Sequence, residues 1–197
     1  MLRDFGAFFM TIDASQQDMA EAYNICRFLQ QTYDVEGDVV EIGVYSGGSA
    51  KLLNKYKLPN KRLYLFDTFD GWKDCGEHDK GGAISNGGMF FRDYEYVKRI
   101  FEGHNVEVIR GYFPDNVPAG FGDKRFSYVH LDVDTYLSTL NSLKYFYGKV
   151  SQGGVFMLHD YISVDAPGVK KAVDEFISDK VEKVVCLVDS QAMIVKS

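Results

Sequence analysis

One stretch constrains this chain more than any other: Val39-Val40-Glu41-Ile42-Gly43-Val44-Tyr45-Ser46-Gly47-Gly48-Ser49. An apolar run ends on a carboxylate, turns through glycines and enters a helical pattern at Ala50-Lys51-Leu52-Leu53. That order predicts a strand, a tight loop and a helix N-terminus. Gly43, Gly47 and Gly48 let backbone come close to a ligand, and the helix start offers free N–H donors. The spacing excludes two nucleotide-binding designs. A P-loop needs Gly-Lys-Ser/Thr, whereas Gly48 is followed by Ser49 and Ala50. A dinucleotide fingerprint needs G-x-G-x-x-G, whereas the intervals here are G-x-x-x-G-G with a Glu before the first Gly. A Glu at the strand end suits a cationic or hydroxyl-rich ligand better than a pyrophosphate.

Helical and strand periods organise the rest. Residues 16–33 read as a helix, with Met19, Tyr23, Cys26, Leu29 and Tyr33 at helical spacing and Ser15 as N-cap. Strands are expected at 38–43, 62–67, 106–111, 126–132 and 155–160. Helices are expected at 49–57, 92–102, 136–147 and from Pro167, the last with proline in its first turn. Gly153 and Gly154 open the fifth strand, and 182–188 with 191–196 form a hairpin around a two-residue turn at Asp189-Ser190. Five strands alternating with helices, then a terminal hairpin, predict an α/β sheet that is parallel except for one strand. Residues 70–91 have no period but carry six glycines and the only tryptophan. A lid over the ligand site is expected there, with disorder as the alternative.

In such sheets ligands bind beyond the carboxyl ends of the strands. Glu41, Asp67, Asp132 and Asp160 all close strands, which places four carboxylates at one rim. Asp67 is able to accept both hydroxyls of a ribose, so a nucleoside-bearing cofactor fits; a helix cap is the bland alternative. In an extended chain Asp132 and Asp134 face one side, and His159 and Asp160 join them if strands four and five are neighbours. Two carboxylates and an imidazole make a set able to hold a divalent metal, against the alternative of loop caps and a hydrogen-bonded histidine. His130, inside a strand, reads as a core histidine.

Composition bounds the partners. The net charge of −6 and pI near 5.2, with no Lys/Arg cluster, argue against nucleic acid. No apolar run approaches the ~20 residues of a membrane span. Cys26, Cys75 and Cys186 are scattered, which suits reduced thiols in a cytoplasm. At 197 residues one domain is expected, burying about 70% of the surface exposed by the unfolded chain.

Five segments in order carry a resemblance: 39–49, Phe66-Asp67-Thr68-Phe69-Asp70-Gly71, Arg110-Gly111-Tyr112-Phe113, Leu131-Asp132-Val133-Asp134-Thr135-Tyr136, and 153–161. Together they resemble the macrocin O-methyltransferase family over roughly residues 36–195. These are class I S-adenosylmethionine enzymes that methylate sugar hydroxyls of natural products. The resemblance implies a Rossmann-like sandwich, here with a seven-stranded, mostly parallel sheet and a C-terminal antiparallel hairpin. It implies that Glu41, Gly43 and the turn through Tyr45, Ser46, Gly47 and Ser49 hold the methionine end of the cofactor. Asp67 takes the ribose hydroxyls with Thr68 and Phe69 alongside, Gly111 and Tyr112 border the adenine, and Asp132 also contacts the cofactor. Asp132 and Asp160 bind Mg2+ or Mn2+, and Asp134 is the general base, with His159 as a second candidate. Metal-using relatives carry two adjacent aspartates after strand five, and His159 replaces the first. Imidazole removes a charge and a hard oxygen ligand, which favours a softer ion or none. The resemblance also favours a homo-oligomer, for which Phe5, Phe8 and Phe9 offer a docking surface, and N-terminal helices over the acceptor, where this chain is short.

The expected reaction is methyl transfer to a small-molecule acceptor, a sugar or glycoside hydroxyl. A catechol-type phenol would use a similar acidic metal site. A non-catalytic cofactor-binding module is the alternative outside the enzymes, and the glycine spacing disfavours a nicotinamide dehydrogenase.

Overall fold

The computed structural model describes residues 2–12, 18–82 and 92–197. Near-continuous apolar runs build its centre: β1 (Asp38–Ile42), β2 (Leu63–Asp67), β3 (Val106–Arg110), β4 (Phe126–Leu131) and β5 (Val150–Leu158). A sheet covered on both faces selects such runs, and β4 is buried along its whole length. β6 (Val184–Cys186) and β7 (Ala192–Val195) complete a seven-stranded sheet of order β3-β2-β1-β4-β5-β7-β6. β1 to β5 pair in parallel, and β7 runs antiparallel to both β5 and β6. The expected sheet, with one strand reversed, is the observed one.

The helices are α1 (Phe5–Phe9), α2 (Met19–Gln31), α3 (Gly48–Tyr56), α4 (Tyr94–Ile100), α5 (Tyr136–Phe146) and α6 (Pro167–Ile177). They divide the core in two. Phe66, Phe113, Phe121, Phe126 and Phe146 gather on one face of the sheet. Ile25, Leu29, Leu52, Leu53 and Met157 gather on the other. No helix among the described residues is long and apolar enough to cross a membrane.

Local boundaries differ from the sequence expectation for identifiable reasons. α2 starts at Met19, capped by Asp18, whose side chain accepts from the Glu21 N–H at 2.8 Å while Glu21 reaches back to the Asp18 N–H. This capping box fixes the first turn, and the expected cap Ser15 lies outside the described residues. The buried stripe of α2 is Ala22, Ile25, Cys26 and Leu29, so Met19 and Tyr23 stand at its exposed edge. β5 begins at Val150, not at the glycines: it pairs with Phe126, bulges and rejoins the ladder at Val155. Gly153, at φ +81°, serves that bulge. The hairpin connection is longer than two residues, closing where the Leu187 N–H donates to the Gln191 carbonyl at 2.9 Å. Of the N-terminal aromatics, Phe5 is buried against Tyr23 and Tyr56 of its own chain, and Phe8 packs edge-on to Tyr56.

One polar strap holds the opposite, amino end of the sheet. Buried Lys61 donates from Nζ to the carbonyls of Thr32 (3.1 Å) and Val35 (2.6 Å) and to Ser127 Oγ (2.8 Å). Lys61→Met would take the ammonium donor from Val35 and Ser127 and leave Thr32 with the Val35 N–H alone, at a cost of roughly 1–3 kcal/mol. Urea unfolding is expected to show that loss, with ligand binding at the far rim unchanged in the folded protein.

Candidate active site at the carboxyl rim of the sheet

The site begins where β1 and β4 end side by side. Gly43 sits at φ +89°, and a Cβ there would stand 1.8 Å from the Asp132 carbonyl oxygen. Only glycine lets the two chains pass. The loop that follows is shaped by Asp67 at the end of β2. Its Oδ2 accepts from the N–H groups of Val44 (2.7 Å) and Tyr45 (2.8 Å), and its Oδ1 accepts from Phe69 N–H (2.6 Å). A carboxylate has about four lone-pair positions, so Asp67 keeps capacity for a further hydroxyl. The loop amides expected to face a ligand thus face a carboxylate that itself faces the ligand space.

That space is a cavity of about 380 Å³, within the size range of nucleoside-like sites. From the β1–α3 loop, Gly43, Tyr45, Ser46 and Ser49 line it; from the ends of β2 and β3 come Asp67, Thr68, Gly111 and Tyr112. Asp132, Asp134, His159 and Asp160 form its acidic end. Three expected contact residues are not on its wall. Gly47 is the left-handed N-cap of α3, at φ +83°, and Phe69 packs edge-on to Tyr94 in the core. Glu41 is the larger correction. It lies one residue short of the end of β1, and the pleat turns it into the sheet, where it meets its register partner His130 at 2.8 Å with both side chains fully buried. Burial pushes the Glu41 carboxyl up, against the pull of His130. Three acidic strand ends, not four, reach the rim, and the core histidine is paired.

β4 and β5 are neighbours, so the second acidic group assembles as their order requires. The strands stop at Leu131 and Leu158, and Asp132, Asp134, His159 and Asp160 lie in the turns beyond them. Asp134 is not extended: its φ is +62°, and Trp72 Nε1–H donates to its Oδ2 at 2.9 Å. Burial first, and the Asp132 and Asp160 charges next, push its carboxyl well above the usual range, against the Trp72 hydrogen bond. His159 Nδ1 lies 2.7 Å from Asp160 Oδ2 and 3.2 Å from Asp132 Oδ1, and its Nε2 lies 3.3 Å from Glu21 Oε2. Burial alone would lower the imidazole pKa, but the surrounding carboxylates, Asp132 foremost, raise it far above its ordinary value. The surrounding carboxylates thereby favour a second proton on the ring. Ligand atoms of Asp132, His159 and Asp160 all lie within 4.8 Å of one another, so one cation could replace that proton. The donor set fits a divalent ion that accepts nitrogen.

Sequence reasoning missed the side chains that close the cavity. It expected a lid, or else disorder, across 70–91 without naming the contacts that pin residues 70–82. Asp74 accepts from Tyr112 OH (2.8 Å), Thr135 Oγ1 (2.8 Å) and Ser138 Oγ (2.7 Å). Asp79 is buried and accepts from the Tyr136 N–H at 2.8 Å at the start of α5. A Cβ on Gly82 would meet the Asp165 carbonyl oxygen at 2.0 Å, and one on Gly168 would meet Asp79 Oδ1 at 2.0 Å, so glycine permits both contacts. The remainder of the expected lid, 83–91, lies outside the described residues. A run of acidic residues among glycines was the only sequence sign of these anchors.

A glycine loop at the β1–α3 turn, an acidic residue closing β2 and a reversed last strand are the architecture of the class I methyltransferases. The solved O-methyltransferase NovP superimposes with a TM-score of 0.77 at 25% identity, covering 91% of this chain and 80% of that one. The family described as Macrocin-O-methyltransferase (TylF) matches residues 10–196, and the chain belongs to it. Demethyldecarbamoylnovobiocin O-methyltransferase of Streptomyces niveus is 31% identical over 157 residues, 73% of this chain and 59% of its own. Mycinamicin III 3''-O-methyltransferase of Micromonospora griseorubida is 27% identical over 172 residues, 76% of this chain and 66% of its own. The chain thus spans about six tenths of the length of these curated relatives.

Asp74→Ala would release Tyr112, Thr135 and Ser138 together and free the segment over the cavity. Ligand affinity at the rim is expected to fall about tenfold, roughly 1.4 kcal/mol, with the circular dichroism spectrum unchanged.

Proposed function

We propose that the chain is an S-adenosylmethionine-dependent O-methyltransferase that methylates a sugar or glycoside hydroxyl, assisted by a divalent ion. One observation carries this most: the cavity has a ribose-competent carboxylate, Asp67, on one wall and the Asp132–Asp134–Asp160–His159 cluster at its other end. A nucleoside-bearing donor along the first would direct its reactive group toward the second. The relatives are named for demethyldecarbamoylnovobiocin and for the 3''-position of mycinamicin III, and these names support a glycoside as acceptor.

In the proposed reaction an acceptor oxygen attacks the sulfonium methyl in line. The new O–C bond forms as the S–C bond breaks, the sulfur leaves as a neutral thioether, and the hydroxyl proton must go to a base. A sugar hydroxyl is a weak nucleophile near neutral pH, so that base matters. We assign that role to Asp134, which Trp72 holds and which lines the cavity. Burial and the negative neighbours favour its protonated form, so cationic charge arriving in the cluster would return it to the basic carboxylate. A bound divalent ion, held by Asp132, His159 and Asp160, would supply that charge and polarise the acceptor. Asp67 orients the donor, while Trp72 and the 70–82 segment exclude water and fix the approach.

Two measurements test the assignment. Calorimetric titration with S-adenosylhomocysteine is expected to give micromolar binding, with none for NAD. Binding of neither ligand would reduce the glycine loop to a structural turn. Asp132→Ala is expected to abolish turnover in a screen of glycoside and phenol acceptors while leaving affinity for S-adenosylhomocysteine within a few-fold. Loss of cofactor binding in that variant would overturn the division of roles, and wild-type turnover of phenols alone would replace the sugar acceptor.

A further inference from the structure

His159 presents its two nitrogens to different parts of the molecule. Nδ1 faces Asp132 and Asp160, which line the cavity, whereas Nε2 faces Glu21, on α2 and off the cavity wall. Glu21 is no loose surface carboxylate, because its side chain is 6% exposed and its position is fixed from three directions. Oε2 accepts from the Asp18 N–H in the capping box, Oε1 accepts from Ser190 Oγ at 3.1 Å, and its carbonyl accepts from Gln191 Nε2 at 3.3 Å. The helix start and the β6–β7 turn thus hold one carboxylate against the far side of the imidazole.

A carboxylate in this position only accepts, so Nε2 carries the hydrogen. In the neutral imidazole that arrangement makes Nδ1 the lone-pair nitrogen, and Nδ1 is the one that faces Asp132 and Asp160. We infer that Glu21 is the positioning residue of the metal centre: it fixes the His159 tautomer and ring orientation so that Nδ1 coordinates, and it makes the site prefer Mn2+ or Zn2+ over Mg2+. The inference rests on the metal-assisted reading above and adds to it a residue from a different element that enforces the preference for a nitrogen-accepting ion. Outer carboxylates of this kind commonly change metal affinity by about 10- to 100-fold. Imidazole nitrogen also suits these ions better than Mg2+.

The test is calorimetric titration of MnCl2 and MgCl2 into the full chain saturated with S-adenosylhomocysteine. For wild type, Mn2+ is expected to bind at least tenfold more tightly than Mg2+. Glu21→Ala should weaken Mn2+ by 10- to 100-fold, and Glu21→Gln, which keeps an acceptor and the capping box, should restore most of the loss. In a His159→Asp background, Glu21→Ala should have little effect, since no ring remains to orient. Undiminished Mn2+ affinity in Glu21→Ala, or an equal loss with and without His159, would overturn the positioning role while the metal reading stands. If wild type binds neither ion, the metal reading fails and this inference with it, whereas S-adenosylhomocysteine binding reports separately on the methyltransferase assignment. Should Glu21→Ala fail to fold, nitrogen NMR of histidine-labelled wild type with Zn2+ decides the question. A protonated Nε2 with a Zn2+-bound Nδ1 is expected, and the opposite tautomer would refute it.

Discussion

The active region depends on how closely β1 and β4 pass at their carboxyl ends. At Gly43 a single methyl group would collide with the Asp132 backbone, and this is also where strand order turns from β2-β1 to β4-β5. In open α/β sheets the crevice at such a reversal is where ligands settle, because the loops on either side diverge to opposite faces. Here the divergence separates two jobs. The β1–α3 loop and the end of β2 make a wall suited to hydroxyls and a nucleoside, and the turns after β4 and β5 make a concentrated negative pole.

That pole is an electrostatic problem as well as a chemical one. Asp132, Asp160 and Glu21 converge around one imidazole with Asp134 beside the two aspartates, and carboxylates this close oppose one another's ionisation. The carboxylates favour the protonated form of His159, and burial with the neighbouring charges pushes the Asp134 carboxyl toward its neutral form. In the proposed reaction, cation binding and generation of the base would be linked, since positive charge entering the cluster would favour the carboxylate form of Asp134. Trp72 and Asp74 complete the enclosure from a stretch outside helix and strand, held by indole- and hydroxyl-to-carboxylate bonds where a helix or strand would use backbone pairing.

Much of this was legible in the residues. Apolar runs of strand length alternating with helical stripes specified five parallel strands and a hairpin. Sequence cannot see a pleat phase against a neighbour, and so Glu41 looked like a rim carboxylate when its register partner His130 takes it inward. Nor does an extended-chain argument describe Asp134, which reaches the site through a left-handed turn. Boundaries shifted where one local interaction outweighed the pattern, as at the Asp18 capping box and the bulge that extends β5 back to Val150.

By itself the sequence determined the elements, their order and the residue types at the strand ends, because burial periodicity and glycine placement are local properties. It also carried the family, through five short segments in fixed order. Only the tertiary structure decided which carboxylates meet. Glu21 and His159 are 138 residues apart, and Trp72 and Asp134 are 62 apart. Contacts at such separations depend on strand order and helix docking, which no window of sequence contains.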